Sequence, residues 1–474
     1  MSQTVDSTKD DFRDKVSTID KTGKRVWIYP KKSHGPLTRS RGIVAIVLLS
    51  FLFLAPFLRV NDQPLLLFNF LERKFIIFGL LFWPQDFHIF VLATIAMVVF
   101  IILFTAVFGR IWCGWACPQT IFMEMLFRKI EYWIEGDARK QIALKKAPWH
   151  AGKIIKKFLK HSIFYALSFI IGNIFLAYII GSDKLIRIIT DPPAQHLLGL
   201  SAMITFSAVF YFVFAFFREQ VCTMVCPYGR LQGVLLDQNS IVVAYDFKRG
   251  EPRERFSRMK SRTNLGDCID CHQCVEVCPT GIDIRNGTQL ECINCTACID
   301  ACNAVMKKVN FPVGLIRYTS YNGILMDSKF KLNPRIIGYT VVLILLISSI
   351  FILVINRSPI ETTILRTPGF LYQESHEGNI SNLFNVKIIN KTSQEIHLDL
   401  KLQAPQGRIQ VVGGEIIVPD NGIAQSAFFV IISKEQIRDT NTPIYIAVYS
   451  GEELLEEVRT SFMAPDIKRK SDEN

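Results

Sequence analysis

The chain has 474 residues, of which half are hydrophobic, and its 54 Lys and Arg against 42 Asp and Glu give a formal net charge of +12. The hydrophobic residues are concentrated in blocks, which indicates a multi-domain membrane protein rather than a soluble enzyme. The excess Lys and Arg lie mainly beside these blocks, which fits the charge rule of membrane proteins better than a nucleic-acid-binding surface.

Five apolar segments are predicted to cross the lipid bilayer as helices. They are residues 41–60, 86–108, 159–181, 196–217 and 336–356, and each is long enough to span. Residues 1–40 are polar and are predicted to form a mobile cytoplasmic tail. Residues 61–85 are also apolar, but Glu72, Arg73 and Lys74 interrupt them and would be costly at the centre of a bilayer. We therefore predict an external interfacial hairpin here rather than a sixth span.

The charges of the loops predict the orientation of the chain. Cytoplasmic loops are enriched in Lys and Arg, and such enrichment occurs in 109–158 and close to the membrane ends of 218–335. The loops at 61–85 and 182–195 are short and nearly balanced. The N-terminus and the two basic regions are therefore predicted to be cytoplasmic. Five spans then place residues 357–474 outside.

Two cysteine runs occur within the region 218–335, in a predicted ferredoxin-like domain of about residues 258–310. Each run has the spacing C-x2-C-x2-C-x3-C, which holds [4Fe–4S] clusters in bacterial ferredoxins, with the fourth cysteine bound to the other cluster. The predicted ligands are Cys268, Cys271, Cys274 and Cys302 for one cluster, and Cys292, Cys295, Cys298 and Cys278 for the other. Zinc ribbons would leave four of these cysteines without a role, and disulfides would have very many possible pairings.

A second cysteine motif occurs twice, each time just after a predicted span. GRIWCGWACPQ follows the second span and FREQVCTMVCPYGR follows the fourth, and both contain C-x3-C-P. Residues four apart share a helical face, which predicts pairing of Cys113 with Cys117 and of Cys222 with Cys226. Packing of the two copies would gather four thiols, whose pKa the nearby arginines are expected to lower. Soft thiolates select Cu(I), zinc or iron–sulfur clusters, whereas the alternative is that these cysteines only pack helices.

Three histidines are weaker candidates for a functional site. His88 and His196 open the second and fourth spans on the outer side and could bind haem or quinone. Interface histidines without such a role are more common. His161, at the inner start of the third span, could approach the four thiols or could simply lie at the membrane surface.

Residues 357–474 have the alternating pattern of β-strands. The predicted strands are 384–389, 395–402, 408–412, 415–419, 424–432, 443–450 and 455–462. Leu398, Leu400 and Leu402 share one face, while Asp399 and Lys401 lie on the other. Six or seven short strands in about 100 residues predict an immunoglobulin-like β-sandwich.

Together these segments resemble the cytochrome c oxidase accessory proteins CcoG, a family also called FixG or RdxA. The resemblance covers nearly the whole chain. It includes RKFIIFGLLFWPQDF (73–87), WCGWACPQT (112–120), REQVCTMVCPYGRLQ (218–232), YDFKRGEPR (245–253), the two cysteine runs, PVGLIRYTS (312–320) and the sandwich. The C-x3-C-P pair also occurs in NapH-like and NosR-like quinol-linked electron-transfer proteins, but the sandwich and GLIRYTS favour CcoG.

The resemblance implies a protein of the bacterial inner membrane that reduces Cu(II) to Cu(I) for assembly of cbb3-type cytochrome c oxidase. Copper would be the substrate, bound at Cys113, Cys117, Cys222 and Cys226. Copper chaperones or oxidase subunits would be partners, together with a cytoplasmic electron donor that the sequence does not name. The predicted sites suit this reduction, because iron–sulfur clusters transfer single electrons and thiolates favour Cu(I) over Cu(II).

Two other functions remain open from the sequence. One is an electron-transfer module of a quinol-oxidising chain without copper chemistry, which a bound haem or quinone would favour. The other is an assembly scaffold that senses redox state through its clusters and recruits oxidase subunits through its sandwich. Assembly that survives loss of the clusters would favour the scaffold.

Overall fold

A computed structural model of the chain describes residues 17–19, 22–60, 63–256, 264–327, 333–369, 371–374, 378–392, 394–420, 422–437 and 439–465. The chain divides into two compact units. The first is Met1–Leu58 with Phe90–Ser348, and the second is Arg59–Ile89 with Ser349–Asn474. The first unit therefore holds both kinds of cysteine motif, and the second holds the C-terminal sandwich.

Among the described residues, five helices are long and apolar enough to cross a membrane. They are Pro36–Phe57, Phe87–Phe108, Ala151–Ile180, Pro193–Phe217 and Pro334–Ile355. The five predicted spans are thus confirmed as helices, with shifted ends. The first helix begins at Pro36, whose fixed φ suits the first turn of a helix. The third begins at Ala151 rather than at 159, because the helix continues through basic residues that hydropathy alone excludes.

The N-terminal segment corrects the expectation of a mobile tail for the residues that the structure describes. The backbone N–H of Lys31 donates to the carbonyl of Glu276 at 2.7 Å, and Tyr132 donates its hydroxyl to the carbonyl of Pro30 at 2.9 Å. Arg25 forms an ion pair with Glu219 at 3.0 Å. Polar composition suggested mobility, but partners distant in sequence fix this segment. Residues 1–16, 20 and 21 lie outside the described residues.

The segment between the first two spans is β structure. Its strands are β1 Arg59–Val60, β2 Gln63–Pro64, β3 Leu66–Asn69, β4 Lys74–Ile77 and β5 Leu80–Phe82. β1 pairs with β2, and β3, β4 and β5 form an antiparallel sheet. Glu72 and Arg73 lie in the turn between β3 and β4, where Arg73 has a φ of 55°. The segment is therefore not a span, and it is a three-stranded meander rather than a simple hairpin.

Short helices occur throughout the regions 109–158 and 218–335. They are Ile111–Trp115, Pro118–Thr120, Ile121–Phe127, Arg128–Ile134, Ala138–Lys146, Val221–Val225, Pro227–Leu235, Phe247–Gly250, Gln273–Glu276, Ala297–Lys308 and Tyr321–Leu325. Three stretches, Ile121–Phe127, Val213–Phe217 and Val221–Val225, are π-helical, a conformation that often marks functional sites. Ser182–Thr190 is a further helix between the third and fourth spans.

The ferredoxin-like domain is closed by two strands outside the cysteine runs. β6 Val242–Tyr245 pairs antiparallel with β7 Ile316–Thr319. In each run a left-handed residue, His272 or Thr296, precedes a helix that carries the next cysteine. The domain therefore extends beyond the predicted bounds of about 258–310, since the spacing of cysteines does not reveal the strands around them.

The C-terminal residues form the predicted sandwich. Its strands are β8 Ile360–Arg366, β9 Gln373–Glu374, β10 Asn379–Asn390, β11 Ile396–Ala404, β12 Arg408–Val412, β13 Ile416–Val418, β14 Ile423–Ser433, β15 Asn441–Ser450 and β16 Glu453–Met463. One sheet has the order β12-β14-β10-β8 with β9 beside β10, and the other has the order β13-β11-β15-β16. Phe384, Phe428 and Phe462 are fully buried between the sheets. All seven predicted strands are present, while β8 and β9 were not predicted.

Candidate iron–sulfur and thiol sites

The first cysteine cavity contains the four residues predicted for the first cluster. Cys268, Cys271, Cys274 and Cys302 line a cavity of about 330 Å³. The first three come from the first run, and Cys302 comes from the helix Ala297–Lys308. The fourth cysteine of the second run thus crosses over to the first run, as the spacing predicts.

The second cysteine cavity has the complementary arrangement. Cys278, Cys292, Cys295 and Cys298 line a cavity of about 350 Å³, to which Cys274 also contributes. Cys278 is the fourth cysteine of the first run, and the other three predicted ligands come from the second run. The shared wall at Cys274 places the two cavities side by side, as electron transfer between two clusters requires.

The residues of both cavities fit [4Fe–4S] clusters. Burial raises the pKa of Cys274, Cys292 and Cys302 to about 12, so these thiols keep their protons unless a bound metal centre stabilises the thiolates. Among the described residues, no group of three or more His, Cys, Asp or Glu could hold a metal ion. A four-iron cluster offers a separate iron to each thiolate, whereas zinc needs all four ligands around one ion. The crossed grouping of the eight cysteines therefore fits two [4Fe–4S] clusters.

Arg285 holds the loop of the first run in place and was not singled out from the sequence. Its side chain is almost fully buried and forms hydrogen bonds to Asp283 at 2.6 Å, to the ring of His272 at 2.9 Å and to Asp270. Asp270 and His272 both have positive φ, so the loop needs such external support. A lone arginine in GIDIRNG gives no sequence signal for this role.

The C-x3-C-P motifs differ locally from the prediction. Cys113 lies in the helix Ile111–Trp115 and Cys222 in the π-helical turn Val221–Val225. Cys117 and Cys226 have extended backbones, with ψ of 124° and 113°, and each precedes a proline that starts a new helix. The two cysteines of each motif therefore do not share one continuous helix, because a residue before proline avoids the helical conformation. They still lie close together, since Cys117 affects the pKa of Cys113 and Cys226 affects that of Cys222.

The four thiols nevertheless lie close enough to act on one another electrostatically. Burial raises the pKa of Cys113 to about 11, with smaller contributions from Cys117 and Cys226. Burial likewise raises the pKa of Cys222 to about 12, with contributions from the other three cysteines. The two copies of the motif therefore pack together.

The expected lowering of these thiol pKa values by arginine was wrong. Arg110 does lower the pKa of Cys113, but burial has the larger effect. Arg218 instead donates a hydrogen bond to Glu131 at 2.6 Å. The thiols of Cys113 and Cys222 are therefore neutral until a metal displaces their protons.

The first C-x3-C-P motif contacts the loop of the second cysteine cavity directly. Cys113 packs against a small buried cluster that includes Ile293 and Cys295. A Cβ atom on Gly114 would lie only 2.4 Å from the carbonyl oxygen of Ile293. Arg110 donates hydrogen bonds to the carbonyls of Leu290, in this same loop, and of Gly229, just after the second motif. The candidate thiol site is thus held beside the candidate second cluster.

Comparisons with known proteins agree with this arrangement. A family described as a 4Fe-4S dicluster domain matches residues 217–321, a 4Fe-4S binding domain matches 90–141, and the IG-like fold at the C-terminal of FixG matches 350–465. Nitrogen fixation protein FixG of Rhizobium meliloti is 33% identical over 438 residues, which cover 82% of each chain. The chain belongs to the FixG/RdxA family.

Two further relatives of this FixG/RdxA family member come from Cereibacter sphaeroides. Protein RdxA is 32% identical over 81% of this chain and 83% of its own length, and Protein RdxB is 33% identical over 78% and 80%. The crystal structure of FixG-related protein from Vibrio parahaemolyticus covers 23% of this chain at 18% identity, with a TM-score of 0.19 that is too low to bear on the fold. The protein is a multi-pass membrane oxidoreductase that transfers electrons through iron–sulfur clusters.

A buried ion-pair network in this FixG/RdxA family member surrounds the helix Arg128–Ile134. Arg128 pairs with Glu124 at 2.9 Å, Arg218 with Glu131 at 2.6 Å, and Lys160 with Glu131 at 3.6 Å. Burial alone would raise the pKa of Glu131, but the charges of Arg218, Lys160 and Arg128 outweigh it and lower the pKa. The network joins the first C-x3-C-P region, the third span and Arg218, and only the four-residue spacing of Glu124 and Arg128 hinted at it.

The three candidate histidines do not line either cysteine cavity. His161 forms a hydrogen bond with the hydroxyl of Tyr211 at 2.8 Å and stacks on Phe216. His196 lies 3.1 Å from a carboxylate oxygen of Asp191, and His88 is exposed. These contacts do not test haem or quinone binding at His88 and His196, which stays the less common alternative to interface histidines without such a role. His161 is held by aromatic neighbours.

Proposed function

We propose that this protein reduces Cu(II) to Cu(I) at the four C-x3-C-P thiols, with electrons from the adjacent iron–sulfur clusters. The observation that carries this proposal is the contact of Cys113 and Gly114 with the loop Ile293–Cys295. This contact brings the candidate thiol site against the loop that carries Cys295, a predicted ligand of the second cluster. Copper bound there would sit next to its source of electrons.

The residues of the thiol site suit both the binding and the reduction of copper. Binding of Cu(II) displaces protons from the thiols, and one electron converts it to Cu(I), which thiolates hold more strongly. The amide of Gln232 donates to the sulfur of Cys113 at 3.6 Å and orients it. The [4Fe–4S] clusters, when bound at the eight ferredoxin-type cysteines, supply single electrons.

The biological setting of this reaction forms part of the proposal. The protein would lie in the bacterial inner membrane, with the ferredoxin-like domain in the cytoplasm and the sandwich in the periplasm, as loop charges favour. Its product, Cu(I), would pass to copper chaperones or subunits of cbb3-type cytochrome c oxidase. A cytoplasmic donor would reduce the clusters.

Paired cysteine substitutions test the proposed copper site. Cys113→Ser with Cys117→Ser should abolish tight copper binding while iron content stays unchanged, and Cys222→Ser with Cys226→Ser should do the same. The quadruple variant should add little, because the thiols act as one site. Both binding of copper and reduction of Cu(II) are measured anaerobically on purified protein. Wild-type affinity and rate in both double variants would show that these cysteines only pack helices.

A cluster variant separates reduction from binding. Cys271→Ser removes one predicted ligand of the first cluster, so it should stop sustained reduction of Cu(II) while copper still binds. If this variant reduced Cu(II) at the wild-type rate, the electrons would not come through the first cluster.

A second candidate function is electron transfer through a further iron–sulfur centre at the C-x3-C-P thiols, without copper chemistry. Two observations favour it. The match to a 4Fe-4S binding domain, residues 90–141, includes Cys113 and Cys117, and the described thiols do not close around a single ion. Iron content separates the two candidates, since a further cluster would add iron that disappears with these cysteines.

A further inference from the structure

A third cavity lies beside the candidate second cluster and is not part of the copper proposal. It is partly open to solvent, and the empty space within it is about 1000 Å³. Its walls come from the N-terminal segment, the start of the first span, the region 124–132 and the cluster loop. Val277, Pro279 and Ala297 bring the cluster loop into this wall. Since Pro279 follows Cys278 and Ala297 lies between Cys295 and Cys298, a ligand here would lie against the loops of the second cluster.

The lining of this cavity is strongly cationic. Lys32, Arg39, Arg41 and Lys129 all line it, and within the described part of the chain none of these side chains forms an ion pair. Lys31 lines it too, but its ammonium is hydrogen-bonded to Gln273 at 2.8 Å. The carboxylate in the lining, Glu124, is already paired with Arg128 at 2.9 Å. The exposed side chains of Lys32, Arg39 and Lys129 therefore give the cavity a positive charge, which attracts an anion.

Arg41 is the buried cation of this lining, and its charge also lowers the pKa of Cys295, a predicted ligand of the second cluster. Its side chain is only 6% exposed, and its Nε donates to the carbonyl of Gly114 at 2.6 Å. Its Nη2 is buried and, among the described residues, has no hydrogen-bond partner. A buried donor without a partner is costly, and a guanidinium group is well matched to a phosphate.

We propose that this cavity binds a phosphate-bearing ligand, with Arg41 as the buried anchor and Arg39, Lys32 and Lys129 around it. A phosphate presents several acceptor oxygens and close to two negative charges, which several converging cations can share. The phosphate could belong to a soluble nucleotide cofactor, for which the ring of Tyr132 in the wall offers a stacking surface. It could also belong to a lipid headgroup, since basic pockets at the ends of membrane helices bind anionic lipids.

Two probes distinguish these sources of phosphate on the full-length protein in neutral detergent. Flavin mononucleotide is titrated by its fluorescence, with inorganic phosphate as competitor. Retained phosphatidylglycerol is measured by native mass spectrometry. The test variant combines Arg39→Gln with Lys129→Gln, and its matched control combines Arg139→Gln with Lys140→Gln. The control removes the same charge from exposed positions outside the cavity lining.

The test variant should bind one of the two probes about tenfold more weakly, as loss of charge-assisted contacts predicts, while the control binds as the wild type does. A soluble ligand is assigned if the test variant binds flavin mononucleotide more weakly and inorganic phosphate displaces flavin mononucleotide from the wild type. A lipid headgroup is assigned if the test variant loses only phosphatidylglycerol. Unchanged iron content shows that the variants fold. No binding of either probe, or equal binding in test and control variants, overturns the site whether or not copper is reduced.

Discussion

Gly114 is the residue at which the candidate thiol site and the candidate second cluster come closest. Substitution Gly114→Ala would place a Cβ 2.4 Å from the carbonyl oxygen of Ile293 and 3.0 Å from Asn294, so the two loops must move apart. We expect a loss of stability of about 1–3 kcal/mol from overpacking and slower reduction of Cu(II) with unchanged iron content. Stopped-flow kinetics and thermal unfolding measure these effects.

A matched glycine substitution controls for the added methyl group. Gly199 lies in the fourth span, and a Cβ there would meet nothing within 4 Å. Gly199→Ala should therefore leave the reduction rate unchanged. If Gly114→Ala reduced Cu(II) as fast as Gly199→Ala does, contact between these loops would not matter for the reaction.

At the residue scale, the sequence predicted which cysteines line the two cavities but not how their loops are held. The spacing of the eight cysteines was enough to group them, and the same groups line the two cavities. The roles of Arg41, Gly114 and Arg110 could not be predicted, because each depends on a partner far away in the chain. Burial also outweighs the nearby arginine at Cys113, and burial is not visible in a local sequence motif.

At the scale of elements, the buried network around the helix Arg128–Ile134 gives a prediction about stability. Glu131 is 4% exposed and faces Arg218 and Lys160. Glu131→Gln would break the buried ion pair with Arg218 at 2.6 Å, which costs about 3–5 kcal/mol, while Lys160 keeps its ion pair with Glu135 at 2.9 Å. Thermal unfolding in detergent near neutral pH measures the loss. Glu452→Gln, at an exposed turn of the sandwich, is the control and should be neutral.

The dependence on pH follows from the lowered pKa of Glu131. A carboxyl group with a lower pKa in the folded protein stabilises the fold fully above its ordinary pKa of 4.5, and this stabilisation is lost as pH falls through the folded value. The wild type should therefore lose stability on acidification, and Glu131→Gln should lose less. Parallel pH profiles of the two proteins would contradict this role.

Helices and strands were predicted correctly where a single sequence pattern, hydropathy or alternation, determines them. Hydropathy located all five membrane helices, and alternation of apolar residues located seven sandwich strands. Hydropathy missed the basic first turns of Ala151–Ile180, and the strands β6 and β7 were hidden because their pairing joins residues on opposite sides of the cysteine runs. Polar composition wrongly predicted that residues 22–35 are mobile, because contacts with a distant region of the chain hold them in place.

At the scale of the whole molecule, the orientation of the chain in the membrane can be tested. Loop charge asymmetry and an odd number of spans predict that residue 474 is outside and residues 218–335 are cytoplasmic. A reporter that works only outside the cytoplasm should be active when fused after Asn474 and inactive when fused within 218–335. Activity of a strictly cytoplasmic reporter after Asn474 would contradict this orientation.

Metal content of the anaerobically purified protein tests the central claim most directly. Eight ferredoxin-type ligands predict about eight irons and eight inorganic sulfides per chain, with copper bound in addition. Cys113→Ser with Cys117→Ser should lose the copper and keep the iron. The account would be contradicted by about twelve irons that fall to about eight in this double variant, as a third four-iron cluster requires, or by copper that stays bound when these cysteines are gone.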